Sequence, residues 1–171
     1  MNWFALSVKS HHETAVSARL INKGFEVFLP LYRTTRTWSD RKKEIQLPLF
    51  DGYVFCRFNP NERSVPVATT PGVFRIVSMG NTPAPVPDHE IEAVRAVTNS
   101  RSVVEPWPYI PKGSPVQITS GVLSGVEGSF MEEHTGGRLI VSITLLQRSV
   151  AVQIDRTSVR PQMPYTSALS A

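Results

Sequence analysis

A chain of 171 residues has room for one ordinary domain or two small ones. Its 41% hydrophobic share supports a core, and its 19% charged share argues against a disordered tail protein. The lone cysteine, Cys56, excludes an internal disulfide, a cysteine zinc site and a CxxC redox pair, while a net charge of +4 permits a nucleic-acid partner without demanding one. No apolar run has the length of a membrane span, and the first residues, MNWFALSVKS, do not read as an export signal, so the expected compartment is the cytoplasm.

Residues 2–8 alternate as a strand, with Trp3, Ala5 and Ser7 on one face and Phe4, Leu6 and Val8 on the other. Ser10 and Glu13 have capping-box spacing, and Val16, Leu20 and Ile21 form the apolar stripe of the helix that follows, which Gly24 ends. Residues 25–30 read as a second strand. Residues 32–47 read as a long hairpin with Ser39-Asp40 near its tip. The run 47–58 contains a strand that is apolar on both faces, Val54, Cys56 and Phe58 against Tyr53, Phe55 and Arg57. Residues 59–72 read as a loop that has room for a helical turn, because Pro66 and Pro71 limit any long helix. A short strand within 72–80 and a helix over 89–99, capped by Asp88 and striped by Ile91, Val94 and Val97, complete the N-terminal part.

Prolines 106, 108, 111 and 115 stiffen the next stretch, which reads as a linker. Beyond it, short β-rich runs alternate with glycine turns at 121, 125, 128, 136 and 137, the pattern of a small five-stranded barrel. The expected class is α+β: an N-terminal antiparallel sheet with flanking helices (1–100), a proline-rich linker (101–111), a small β-barrel (112–161) and a flexible tail (162–171).

No P-loop, GxGxxG, HExxH or GxSxG pattern occurs. His11 and His12 are adjacent and point apart, which does not suit a shared metal, and Glu132-Glu133-His134 reads as a solvated turn. Cys56 reads as a core residue. The chain is expected to be a binding protein, with no cofactor, and not an enzyme.

Three constellations remain. Phe50, Tyr53 and Phe55 can line one side of a sheet, with Trp3 nearby; this is either a second core face or a groove for a partner's helices. Arg33, Arg36, Arg41, Lys42 and Lys43 outweigh Asp40 and Glu44 in the hairpin, which is either a solvated arm or a phosphate contact that Lys9, His11, His12 and Arg19 extend. The spacing of Gly121, Gly125 and Gly128 permits a tightly bent sheet.

The N-terminal Trp-aromatic strand, PLFDGYVFCRF and TPGVFRIVSMGNTPAPVPDHEI together resemble the N-terminal domain of the NusG family of transcription elongation factors. The glycine pattern followed by RLIVSITLLQRSVAVQID resembles the SH3-like KOW domain of that family. The match covers about 3–161 in the family's order. The stretches EVFLPLYRTTRTWSDRKKEIQLPLFDGYVF and LLQRSVAVQID are similar to the specialised UpxY group, related to the RfaH and LoaP types, whose members act as antiterminators on particular long operons.

The resemblance implies a monomer that grips the clamp helices of the β′ subunit of RNA polymerase. Phe50, Tyr53 and Phe55 fall on matching groove positions, Met79 falls where a paralogue has an aromatic, and Ser7 replaces a groove tyrosine. The family's Phe-Pro-Gly-Tyr is Phe50-Asp51-Gly52-Tyr53 here. The stretch 61–70 corresponds to the region that reaches the β subunit. Lys9 matches a lysine that contacts the non-template DNA strand, with Ser10, His11, His12 and Thr70 nearby by alignment. In relatives the KOW domain binds Rho or a small-subunit ribosomal protein, and Val126 stands where a contacting phenylalanine is found. The β-branched runs and glycines favour a barrel over the helical hairpin known for this domain in one paralogue. The expected function is elongation and antitermination on specific operons. The rival readings are a general elongation factor coupled to Rho or the ribosome, and an RNA-binding module that uses 31–43.

Overall fold

The computed structural model describes residues 1–38, 41–100, 102–107, 114–133 and 136–161. The expected hairpin tip at Ser39-Asp40, residues 101 and 108–111 of the expected linker, His134 and the expected tail 162–171 lie outside these residues, as do the side chains of Arg36, Trp38, Arg41, Lys42, Glu132 and Glu133. In chain order come β1 (Asn2–Val8), α1 (Glu13–Asn22), β2 (Glu26–Phe28), β3 (Leu31–Trp38), β4 (Arg41–Pro48), β5 (Tyr53–Phe58), α2 (Pro60–Ala68) and β6 (Val73–Ile76). The short strands β7 (Ser78–Met79), β8 (Thr82–Pro83) and β9 (Pro85–Val86) lead into α3 (Asp88–Asn99). The C-terminal part holds β10 (Val104–Trp107), β11 (Ser114–Ile118), β12 (Glu127–Glu133), β13 (Gly136–Ile143), β14 (Arg148–Ile154) and β15 (Val159–Pro161). Among the described residues no helix is long and apolar enough to cross a membrane.

The N-terminal sheet runs β2-β5-β1-β6, with β9 also paired to β1. Strand β1 is antiparallel to β5, and the register sets Phe4 opposite Cys56 and Leu6 opposite Val54. Directly opposed residues point to the same side of a sheet, so these four define one face. Val16 and Leu20 of α1, Phe25 and Val67 of α2 bury against it. The expected stripe holds for Val16 and Leu20, but Ile21 turns outward and is exposed. Trp3, Ala5 and Ser7 stand on the other face with Arg57, Phe55 and Tyr53. Ile91, Val94 and Val97 of α3 are fully buried there, as their spacing predicts.

Local chemistry departs from expectation at three places. The capping box does not form: His12 is the N-cap of α1 and makes no side-chain cap bond. Residue Glu13 instead sends its carboxylate to the backbone N–H of Gly52, a partner 39 residues away that outcompetes the local one. The stretch expected as a loop with at most a helical turn contains the nine-residue α2. Asn59 caps it by accepting from the Asn61 N–H, and Pro60 stands in its first turn, where a missing N–H costs nothing. Pro66 is tolerated two residues from the end of a nine-residue helix. Helix α3 begins at Asp88 behind Pro87, with no side-chain cap.

The C-terminal sheet runs β10-β14-β13-β12-β11-β15, all antiparallel. It has six strands where five were expected. The sixth, β10, takes up 104–107 of the segment expected as a linker; Pro106, lacking an N–H, is accommodated because β10 is an edge strand. Val116, Ile118, Leu139, Val141, Ile143, Val150 and Val152 form its core. Gly128 explains one member of the glycine spacing. A Cβ there would collide with the carbonyl oxygen of Ile140 on the neighbouring strand and press on Leu139. Gly128→Ala should therefore destabilise the chain by about 1–3 kcal/mol, the usual cost of overpacking, read as a lowered midpoint in urea denaturation.

Candidate partner-binding site

The face that carries Trp3, Ala5, Ser7, Tyr53 and Phe55 is extended by Phe28, which lies opposite Phe55 in the β2–β5 register. The Phe28 ring stacks with Phe55 at 6.2 Å between centroids, and Phe50 meets Phe55 edge-on at 5.6 Å. At one end of this face, Arg95 of α3 lies 5.5 Å from the Trp3 ring centre and 5.2 Å from that of Phe28. Arg57 stands 5.9 Å over Trp3 and pairs with Glu26 at 3.4 Å. Each guanidinium offers the ring quadrupole a positive lid.

The far end of the face meets the C-terminal sheet. The Arg148 guanidinium at the start of β14 lies 5.3 Å from the centre of the Tyr53 ring. The backbone N–H of Thr144, which opens the 3-10 turn Thr144–Leu146, donates to Oε2 of Glu90 on α3 at 3.1 Å. One apolar cluster runs without a break from Trp3, Phe50 and Phe55 through α3 into Val141, Ile143 and Val150, with Leu145 and Leu146 against it. Trp3, Phe50 and Phe55 are at most 2% exposed, and Tyr53 is half-buried. The choice left open by the sequence, core face or open groove, thus resolves here as a covered face, with α3 over part of it and the C-terminal sheet beside it.

A single turn sets Phe50 and Tyr53. The Tyr53 N–H donates to the Phe50 carbonyl at 3.0 Å, and Gly52 has φ +79°, a conformation that L side chains resist. The Gly52 carbonyl accepts from the Val8 N–H at 2.9 Å, and its N–H donates to Glu13 Oε1 at 2.8 Å. Asp51 occupies the exposed corner of this turn. Ser7 is half-buried opposite Tyr53, and Met79 on β7 is fully outside the cluster at 75% exposed.

The residues expected at nucleic acid divide. Lys9 and His11 are exposed and His12 is half-buried, all on the turn that the His12 N–H closes onto the Lys9 carbonyl at 2.9 Å. Thr70 is not available: it is 1% exposed, and its hydroxyl donates to the Pro66 carbonyl while accepting from Lys23 Nζ at 2.8 Å. The hydroxyl joins Lys23, just after α1, to the Pro66 carbonyl of α2. Arg33 and Lys43 are exposed on the β3–β4 arm, which forms a two-stranded sheet of its own. Arg36, Arg41 and Lys42 belong to that arm by backbone register. Val126, expected to meet a partner of the C-terminal part, is buried and lines a cleft of about 790 Å³ that His89, Glu92 and Ala93 of α3 close on the other side. Cys56 is fully buried, and burial pushes its thiol up to about 12, so no nucleophilic thiolate forms near neutrality.

Sequence reasoning did not find Glu13, Glu90 or Arg148 as site residues. Each acts across at least 39 positions of chain, and such pairings leave no local spacing to read.

Residues 1–95 match the family model described as "Transcription termination factor nusG". The "Transcription termination/antitermination protein NusG" of Thermus thermophilus is 25% identical over 93% of this chain and 97% of its own length. That of Lactococcus lactis is 26% identical over 90% of this chain and 89% of its own. A solved structure described as "Domain interaction in Thermotoga maritima NusG" shares the fold with a TM-score of 0.53, at 23% identity over 95% of this chain and 97% of that one. The chain belongs to the NusG family. It is a termination/antitermination factor of that type, a transcription protein and not an enzyme.

The polar margin of the contact has a measurable consequence. Replacing Glu90 and Arg148 together with alanine removes the Thr144 acceptor and the lid over Tyr53. Small-angle scattering should then report a larger radius of gyration, with circular dichroism unchanged.

Proposed function

We propose that the aromatic face formed by Phe50, Tyr53 and Phe55 binds the clamp helices of the RNA polymerase β′ subunit, once the C-terminal sheet has left it. The observation that carries this reading is the make-up of that face. Its rings are preorganised by edge-on and stacked contacts, but among the described residues its polar margin toward the C-terminal sheet consists of the Thr144 N–H donating to the Glu90 carboxylate and the Arg148–Tyr53 cation–aromatic contact. A surface of this kind can exchange one apolar cover for another at modest cost. Ser7 lies on it opposite Tyr53, the exposed Met79 would add an apolar contact to the partner, and α2, which spans most of 61–70, would approach the β subunit.

In this arrangement the Lys9–His12 turn and the basic β3–β4 arm add sequence-independent attraction to the non-template strand. The C-terminal sheet acts as the KOW domain, and Val126 becomes accessible to a ribosomal protein or Rho only after release from α3. Holding the clamp closed disfavours paused polymerase, a population shift that needs no cofactor. The similarity to the UpxY-like stretches supports antitermination on specific long operons as the biological setting.

Tyr53 is the residue to test. Phe55→Ala would remove a fully buried ring at a cost of about 3–5 kcal/mol and confound binding with unfolding. The Arg148→Ala chain should capture purified core RNA polymerase better than the wild type. Adding Tyr53→Ala should cut that capture at least about tenfold, or about 1.4 kcal/mol, in a folded protein. Capture indifferent to Tyr53 but steeply salt-dependent would point instead to a nucleic-acid-binding module.

A further inference from the structure

Among the described residues the buried charged side chains are Glu13, at 2% exposed, and Glu90. Burying a carboxylate is costly unless hydrogen bonds or opposite charge compensate. Two features compensate here. Glu13 is the first residue of α1, where the free N–H end of the helix favours negative charge. Its Oε1 also accepts the Gly52 N–H at 2.8 Å.

The second contact links two layers. Helix α1 packs on the Phe4, Leu6 and Val8 face of the sheet, behind the aromatic face. Gly52 is the third residue of the turn that begins at Phe50 and ends at Tyr53, and the two rings that the turn sets are on the other side. Its positive φ points the Gly52 N–H outward from the turn, into reach of Glu13. Without the carboxylate, the same turn keeps the Tyr53-to-Phe50 and Val8-to-Gly52 backbone bonds, but its corner loses an anchor and a half-buried N–H loses its acceptor.

We infer that Glu13 is a positioning residue for polymerase binding: by holding the Gly52 amide it fixes the rings of Phe50 and Tyr53 in the geometry that receives the partner's helices. This rests on the polymerase reading above. Glu13 touches no partner itself. Its role is that of an acceptor at a fixed place, and glutamine, with an oxygen at the same position, can supply it.

The test uses the full chain carrying Arg148→Ala, with Glu13→Gln and Glu13→Ala added separately. Capture of purified core RNA polymerase is measured beside the exchange rate and chemical shift of the Gly52 amide by NMR, with circular dichroism as the check on folding. Glu13→Gln should capture polymerase within about twofold of its parent and leave the Gly52 amide protected. Glu13→Ala should stay folded, expose that amide to exchange and lose capture at least about tenfold. Should Glu13→Ala misfold, the Gln variant decides: a folded Gln chain that loses capture as well overturns the acceptor role, and one that keeps capture with a protected amide sustains it. A folded Glu13→Ala chain that captures polymerase like its parent overturns the inference. If the Arg148→Ala parent captures no polymerase, the polymerase reading has failed before any Glu13 variant is compared, and the positioning role falls with it.

Discussion

Strands β1 and β5 carry large apolar side chains on both faces, and a sheet of that kind must be covered twice. The Phe4, Leu6, Val54, Cys56 and Phe58 side is sealed by α1 and α2 within the N-terminal part itself. The Trp3, Phe28, Phe50 and Phe55 side is only partly closed by α3, and its cluster continues into the C-terminal sheet. The hydrophobic effect makes a second cover obligatory without specifying which surface provides it.

The cover in place is attached in two different ways. Its centre is apolar and non-directional. Its margin is polar: Glu90 receives the Thr144 N–H, and Arg148 caps Tyr53. Interactions of this kind contribute about 1–3 kcal/mol each, less than the burial of the several aromatic rings at the centre. A competing surface that buries the same rings therefore has little extra to overcome, while the aromatic face stays shielded from non-specific association when no partner is present. The rear of the sheet is bound differently. Glu13, Lys23 and Thr70 tie α1 to the Gly52 turn and to α2 through buried or half-buried hydrogen bonds. The back layer is thus tied by directional hydrogen bonds, and the proposed exchange of covers concerns the front layer alone.

Much of this was legible in the chain. Period-two alternation placed β1 and β5 and sorted their residues correctly onto two faces. The Ile91, Val94 and Val97 spacing placed α3, and the glycine-punctuated β runs identified the C-terminal sheet. What could not be read was set by long-range partners. The Ser10–Glu13 spacing suggested a local cap, but the carboxylate found the Gly52 amide. Two prolines argued against α2, yet Asn59 and Pro60 start it well and Pro66 falls near its end. Proline spacing suggested a linker where Val104–Trp107 adds an edge strand. Thr70 aligned with a DNA-facing stretch but spends its hydroxyl inside. The aromatic face was visible as residues and invisible as a state, since covered and open forms share one hydrophobic pattern.

In the proposed function the C-terminal sheet and RNA polymerase compete for one face. The direct measurement is a distance between spin labels attached at Val65→Cys on α2 and Val122→Cys in the C-terminal part, two exposed positions. The native Cys56 is buried, with its thiol held up at about 12, and stays unlabelled. The free chain should give one short, narrow distance. Binding to core RNA polymerase should replace it with a longer, broader one. A distance that stays short and narrow on polymerase would contradict the account, because the partner would then be held without uncovering Phe50, Tyr53 and Phe55.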